Sequence, residues 1–350
     1  MTLPRGKPWV DWDKEIDMPL VPTVHPEATP APQAKETRRG GKRWIAFALL
    51  LLLLLCTFCV WGYYLTTRQS LTKALPAAKA VTRAVKPHYL FSIYGMQEPV
   101  GVAITPDGER IYVAESGGDR LIRAYDREGT ELFSFAPPKS QPATRAPVYI
   151  TLDAEGQVYV SDRIRHSVDV YNAGGNFLRS LKSPVPEVWS PMGLRFDDTD
   201  LYLTDVTKGK HRVLALNKDN GLVEHFGREG RGGNADELSF PNSLVVDPRG
   251  RIYISDSNNA RIQVFNKGGN YLYTIAGFSL PRGLALDADQ RLYVVDAVSH
   301  IVKVFDVTKD SAELLFTFGD IGIDDGLFNY PNDITLDITD RLYKIGRAHV

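Results

Sequence analysis

The stretch "SLVVDPRGRIYISDSNNARIQVFNKGGNYLYTI", residues 243–275, holds four short apolar runs separated by turn residues. "SLVVD" reads as a buried strand and is followed by an Asp-containing turn. "RIYISD" is a second strand, with Tyr253 at its centre and Asp256 closing it. "RIQVF" alternates as a third, and after "NKGGN" comes "YLYTI" as a fourth. Short β-rich runs bounded by Gly, Asn, Asp and Pro are strand signals. The pattern recurs along the chain. Prolines 99, 147, 191, 241, 281 and 331 each precede a buried run: "GVAIT", "YITLD", "GLRFD", "SLVVD", "GLALD" and "DITLD". Each run leads to a strand centred on Tyr112, Tyr159, Tyr202, Tyr253, Tyr293 or Tyr343, and in the first five units Glu115, Asp162, Asp205, Asp256 or Asp296 closes that strand. Four short strands per unit, at a period of roughly 40–50 residues, signal β-propeller blades rather than a helical solenoid.

Residues 253–265, "YISDSNNARIQVF", resemble the NHL repeat, and the likeness runs from about Leu90 to Arg341. NHL proteins are predominantly six-bladed propellers. The resemblance therefore implies an all-β fold, a six-bladed NHL-type β-propeller whose sixth blade is truncated. Two units depart from the repeat: blade one has Glu115 for the acid, and blade three carries the longer loop "DVTKGKHR".

In the sixth unit the pattern stops after Tyr343, where "RLYVVD" of the fifth unit is replaced by "RLYKIG". The ending "IGRAHV" also resembles one reading frame of a common sequencing-adapter sequence, so the genuine C-terminal sequence is expected to diverge near Tyr343 or Lys344. "LFSIYG" at residues 90–95 resembles the fourth strand "LLFTFG" and is expected to supply the outer strand of the sixth blade. Without a neighbour that strand would be an unpaired edge.

The N-terminal part is different in kind. Residues 45–64, "IAFALLLLLLLCTFCVWGYY", carry no charge and are long enough to cross a hydrocarbon core of about 30 Å as a helix. Arg38, Arg39, Lys42 and Arg43 precede the run, and Trp61, Tyr63 and Tyr64 close it as an aromatic belt. The charge bias predicts a signal anchor with a cytoplasmic N-terminus. The alternative, a cleaved signal peptide, fits poorly because a long tail comes first and the Ala-rich "ALPAAKA" lies well past the apolar core. Four segments follow: a Pro-rich disordered tail at 1–44, the span at 45–64, a stalk at 65–88 and the propeller at 89–350. Cys56 and Cys59 fall inside the span and read as packing residues rather than a redox pair.

The net charge of −1 hides an asymmetry, because residues 1–88 carry a net +7 and the remainder a net −8. An acidic propeller argues against a nucleic-acid partner, since phosphate binding needs a basic face. Around the expected channel mouth, Tyr149, Asn242, Arg282, Asn332 and Asp333 follow the blade-starting prolines and are unusual strand residues. They are candidates for ligand binding, or alternatively they satisfy backbone groups at strand starts. His166, His211 and His300 fall level with Ala260 in the repeat, at the start of strand three in blades two, three and five. Converging imidazoles could hold zinc or another transition metal. Peptide-amidating lyases, which are similar propellers, use histidines around a central metal. Most of that ligand set is absent here, because the positions after the prolines are Val100, Val148, Met192, Asn242, Arg282 and Asn332. The repeated acids read as structural acceptors rather than as paired catalytic carboxylates.

The expected function is an extracytoplasmic, membrane-anchored propeller acting as a binding or assembly module for a protein, peptide or glycan, without a resident cofactor. The alternative is a metal-dependent lyase or hydrolase using the channel histidines. No phosphate-binding loop, calcium loop, nucleophile elbow or zincin helix occurs in the sequence.

Overall fold

The computed structural model describes residues 49–52, 54–55, 57, 86–197, 199–230 and 234–346. In the N-terminal unit, Met1–Thr82, the described residues are helical. Among the described residues no helix is long and apolar enough to cross a membrane. Most of the expected span, all of the tail and residues 65–85 of the stalk lie outside them.

The second unit, Arg83–Val350, is a β-propeller. Five antiparallel sheets have four strands each, paired in chain order, and their first strands are Pro99–Ile104, Pro147–Leu152, Pro191–Phe196, Pro241–Val246 and Pro281–Leu286. Among the described residues the sixth sheet of the ring has two strands, Pro331–Leu336 and Leu342–Gly346. The six first strands pack side by side in a closed ring, with the sixth against the first. Because the strands alternate in direction, the loops joining strands two and three, and those joining blades, share one face.

Apolar alternation explains why the core is divided. Side chains on the two faces of each sheet point at opposite neighbours, so the buried residues form six wedges between blades. Val245, Tyr253, Ile262 and Val264 meet Leu284, Leu292, Val294 and Phe305 between blades four and five. The wedge between six and one is smaller and rests on Val102, Ile111, Val113, Tyr125 and Ile345. Within blade four the register follows the repeat, with Tyr253 opposite Val245 on one side and Val264 on the other.

Two expectations are corrected. Residues 90–95 form no strand. A β-strand needs a partner for its backbone groups, and no third strand follows Leu342–Gly346 among the described residues to provide one. Ile93 packs instead onto the wedge between blades six and one, and the Tyr94 hydroxyl donates to Asp325. The second strand of the sixth sheet does not stop at Tyr343. It pairs through to Gly346, opposite Pro331, and buries Ile345.

Candidate functional site: the central channel

The repeated acids have a common local task. Each sits at the end of strand two and accepts backbone N–H groups from the loop leading into strand one of its own blade. Glu115 accepts from Gln97 at 2.8 Å, Asp162 from Ala146 at 2.9 Å, Asp205 from Ser190 at 2.9 Å, Asp256 from Ser239 at 2.6 Å and Asp296 from Leu280 at 2.9 Å. A cation on strand three completes four of these sites: Arg123 on Glu115, Arg212 on Asp205, Arg261 on Asp256 and Lys303 on Asp296. Such loop N–H groups have no ladder partner, so a buried carboxylate satisfies them. Gly346 holds this place in the sixth sheet.

The inner ring is joined by two alternating devices. At the third position of strand one, blades one, three and five have Gly101, Gly193 and Gly283, whereas blades two, four and six have Tyr149, Ser243 and Asp333. The glycines admit the next blade's backbone. A Cβ on Gly101 would lie 2.1 Å from Val148 O, one on Gly193 2.5 Å from Asn242 O, and one on Gly283 2.5 Å from Asp333 Cα. The other junctions are bridged by polar side chains, two of them by hydroxyls. Ser161 Oγ donates to Met192 O at 2.7 Å, and Ser255 Oγ to Arg282 O at 2.6 Å. Between blades six and one, Asn332 donates to Val100 O, and Asp333 accepts the Val102 N–H at 3.1 Å.

The structure thus places the five candidate channel residues as follows. Asn242 is buried and donates to Ser257 Oγ at 2.7 Å. Arg282 donates to the Asn332 side-chain oxygen and lies over the Tyr330 ring, 5.4 Å from its centroid. Tyr149 is buried, and its hydroxyl is without a hydrogen-bond partner among the described residues. Burial raises the Tyr149 hydroxyl above its ordinary range, with the nearby Asp333 charge adding to this and Arg282 opposing it. Tyr149, Arg282, Asn332 and Asp333 are therefore neighbours across the channel, while Asn242 is engaged within blade four.

Arg195 belongs with this group and was missed by sequence reasoning. It occupies the fifth position of strand one, where the other blades have Ala103, Thr151, Val245, Ala285 and Thr335. A single cation among small or apolar residues was the available signal, but "GLRFD" reads first as a buried strand.

Burial pushes the Asp333 carboxyl up to about 7, although amide hydrogen bonds from Val102 and Ile334 and the Arg195 charge act in the opposite direction. The folded chain therefore keeps a proton that the unfolded chain, with an ordinary value of 3.8, has already released. The folded state binds more protons between these values, so this group's contribution to stability falls as pH rises from about 4 to about 7, then stays constant. Asp333→Asn is expected to remove that slope and to be more stable than the parent above pH 7, by on the order of 2–4 kcal/mol. The difference in unfolding free energy measured from pH 4 to pH 9 checks this, and a pH-independent difference would contradict it.

The three histidines are differently engaged. His211 Nδ1 accepts the Phe240 N–H at 3.2 Å, and His300 Nδ1 accepts the Tyr330 N–H at 3.0 Å. Phe240 and Tyr330 have φ values of 54° and 47° and immediately precede the next blade's proline. With Nδ1 accepting, a neutral ring carries its proton on Nε2. Metal ligation by either ring would give up a backbone amide or that proton. His166 is exposed, and its carbonyl accepts the Trp189 indole N–H at 2.6 Å. Among the described residues no group of three or more His, Cys, Asp or Glu is arranged to hold a metal ion.

These features define a β-propeller with polar side chains at the inner ring and long loops on one face. Residues 238–265 match the NHL repeat, so the chain is a propeller carrying that repeat. It is 30% identical over 199 residues to mouse NHL repeat-containing protein 3, covering 51% of this chain and 56% of that protein. It is 24% identical over 272 residues to human E3 ubiquitin-protein ligase TRIM32, covering 59% of this chain and 41% of the relative. The chain thus spans about half of the length of these relatives. Virginiamycin B lyase from Staphylococcus aureus shares the fold at a TM-score of 0.51 and 13% identity, over 73% of this chain and 86% of that one. At that identity the likeness concerns the fold alone.

Proposed function

We propose that this chain is a membrane-anchored recognition module whose propeller binds a protein, peptide or glycan on the face carrying the interblade loops. The observation that carries the reading is the apolar surface of those loops. Val188, Ile321 and Ile323 are 66%, 72% and 70% exposed, and Ile164 and Val298 on the strand two–three loops are also exposed. Apolar side chains held open to water on loops of a rigid scaffold are the usual material of an interface. The NHL-repeat relatives support a role in protein interaction. The uncharged run at 45–64 and its basic flank support anchoring, with the N-terminus in the cytoplasm and the propeller outside.

The test compares proteins crosslinked to the full chain in its own membranes with those crosslinked to a Val188→Asp, Ile323→Asp variant. Both sites are solvent-exposed, so the variant should fold normally and lose its specific partners. An unchanged set of partners, in a variant with unchanged thermal unfolding, would overturn the assignment of this face.

A further inference from the structure

Near the strand one–two turns lies a partly open pocket of about 130 Å³, lined by Ala103, Pro106, Thr151, Arg195, Phe196 and Thr335 among others. Its walls are contributed by blades one, two, three and six. Arg195 is the one cation among these lining residues, and its guanidinium makes no hydrogen bond or ion pair to the described residues. The hydroxyls of Thr151 and Thr335 are similarly uncommitted.

That is unusual within this molecule. Arg251 and Arg261 lie on Asp247 and Asp256 at 2.6 Å and 2.8 Å, Arg212 bridges Asp205 and Glu187, and Arg145 donates to the Asp119 and Ser140 carbonyls. A guanidinium drawn partly out of bulk water and left without an acceptor among the described residues is costly. Asp333 is the nearby carboxylate, but it is committed to the Val102 amide across the blade six–one junction. Burial also holds it partly protonated near neutral pH, which weakens it as a counter-ion.

We propose that this pocket binds a small oxyanion, such as a carboxylate or phosphate, through the Arg195 guanidinium, with the Thr151 and Thr335 hydroxyls as additional donors. The planar fork of arginine matches two oxygens of such a group. At about 130 Å³ and partly open to solvent, the pocket admits an acetate- or phosphate-sized ion. The site lies toward the opposite face from the exposed aliphatic loops, so it is independent of the interface proposed above.

Thermal unfolding of the full chain in detergent should be followed in a zwitterionic buffer with sodium phosphate, acetate or chloride at equal ionic strength. Phosphate or acetate is expected to raise the midpoint by several degrees beyond chloride, saturably, and Arg195→Gln is expected to abolish the rise. Should Arg195→Gln fail to fold, Thr335→Val, which keeps the side-chain volume, is expected to weaken the saturable rise several-fold. An equal rise with chloride, no rise with either oxyanion, or a saturable rise unaffected in the variant that folds would overturn the proposal.

Discussion

Asp256→Ala is expected to destabilise the propeller by about 3–5 kcal/mol, the range for removing one member of a buried, hydrogen-bonded ion pair. The carboxylate is fully buried and has four described partners: the Ser239 N–H, the Asn259 amide, Arg261 Nε and Gln263 Nε2. Truncation leaves Arg261, itself 7% exposed, with the Asn234 and Glu237 carbonyls as its remaining partners among the described residues. The loop that leads into blade four loses its anchor at the same time. Asp310→Ala serves as the control, because that carboxylate is 98% exposed, its arginine contacts are 3.6 Å and 3.8 Å long, and such pairs contribute little. Urea unfolding of the two variants measures the contrast, and an Asp256→Ala midpoint close to that of Asp310→Ala would show that the carboxylate does not hold the loop.

Gly101→Ala is expected to be at least as damaging. The added methyl would lie 2.1 Å from Val148 O and 3.0 Å from Tyr149 Cα, and both are backbone atoms of a neighbouring inner strand. No rotamer change relieves such a clash, so the ring itself must expand. The expected loss is about 3 kcal/mol or more, at or beyond the upper end for overpacked cores. Gly156→Ala provides the comparison. It has φ +77° with nothing within 4 Å of the added carbon, so backbone strain of about 1–2 kcal/mol is the whole cost. Equal thermal unfolding of the two variants would mean that the inner ring yields easily, contrary to the close approach seen between blades one and two.

What the sequence made legible followed from strong periodicity. Tyr253 could be placed at the centre of a buried strand because alternation and turn residues agree on both sides of it. The role of Asp256 could be anticipated because equivalent acids recur in successive units, which suits a repeated backbone task. The missing neighbour of residues 90–95 was legible, but local strand preference suggested that the segment would stay extended as a strand, whereas without a partner it forms none. Strand pairing through Gly346 was hidden for a related reason: Lys344 and Gly346 break the expected pattern, yet packing of Ile345 against blade one is enough to continue the ladder. Arg195 and the alternation of Gly101, Gly193 and Gly283 with Tyr149, Ser243 and Asp333 were present in the repeat alignment. Their meaning depends on which neighbours they face across the ring, and that is a tertiary property. The expected tail and most of the expected span fall outside the described residues.

The junction between the sixth and first blades has a kinetic consequence. Asp333 and Val102 are 231 residues apart in sequence, as are Tyr94 and Asp325, whereas the pairings inside each blade are local. Blades can therefore assemble in succession along the chain, but the last contact must overcome the loop-closure entropy of nearly the whole domain. With the smallest wedge of the six at this seam, the annulus should close last on folding and open first on unfolding, parting like a clasp while the other blades remain stacked.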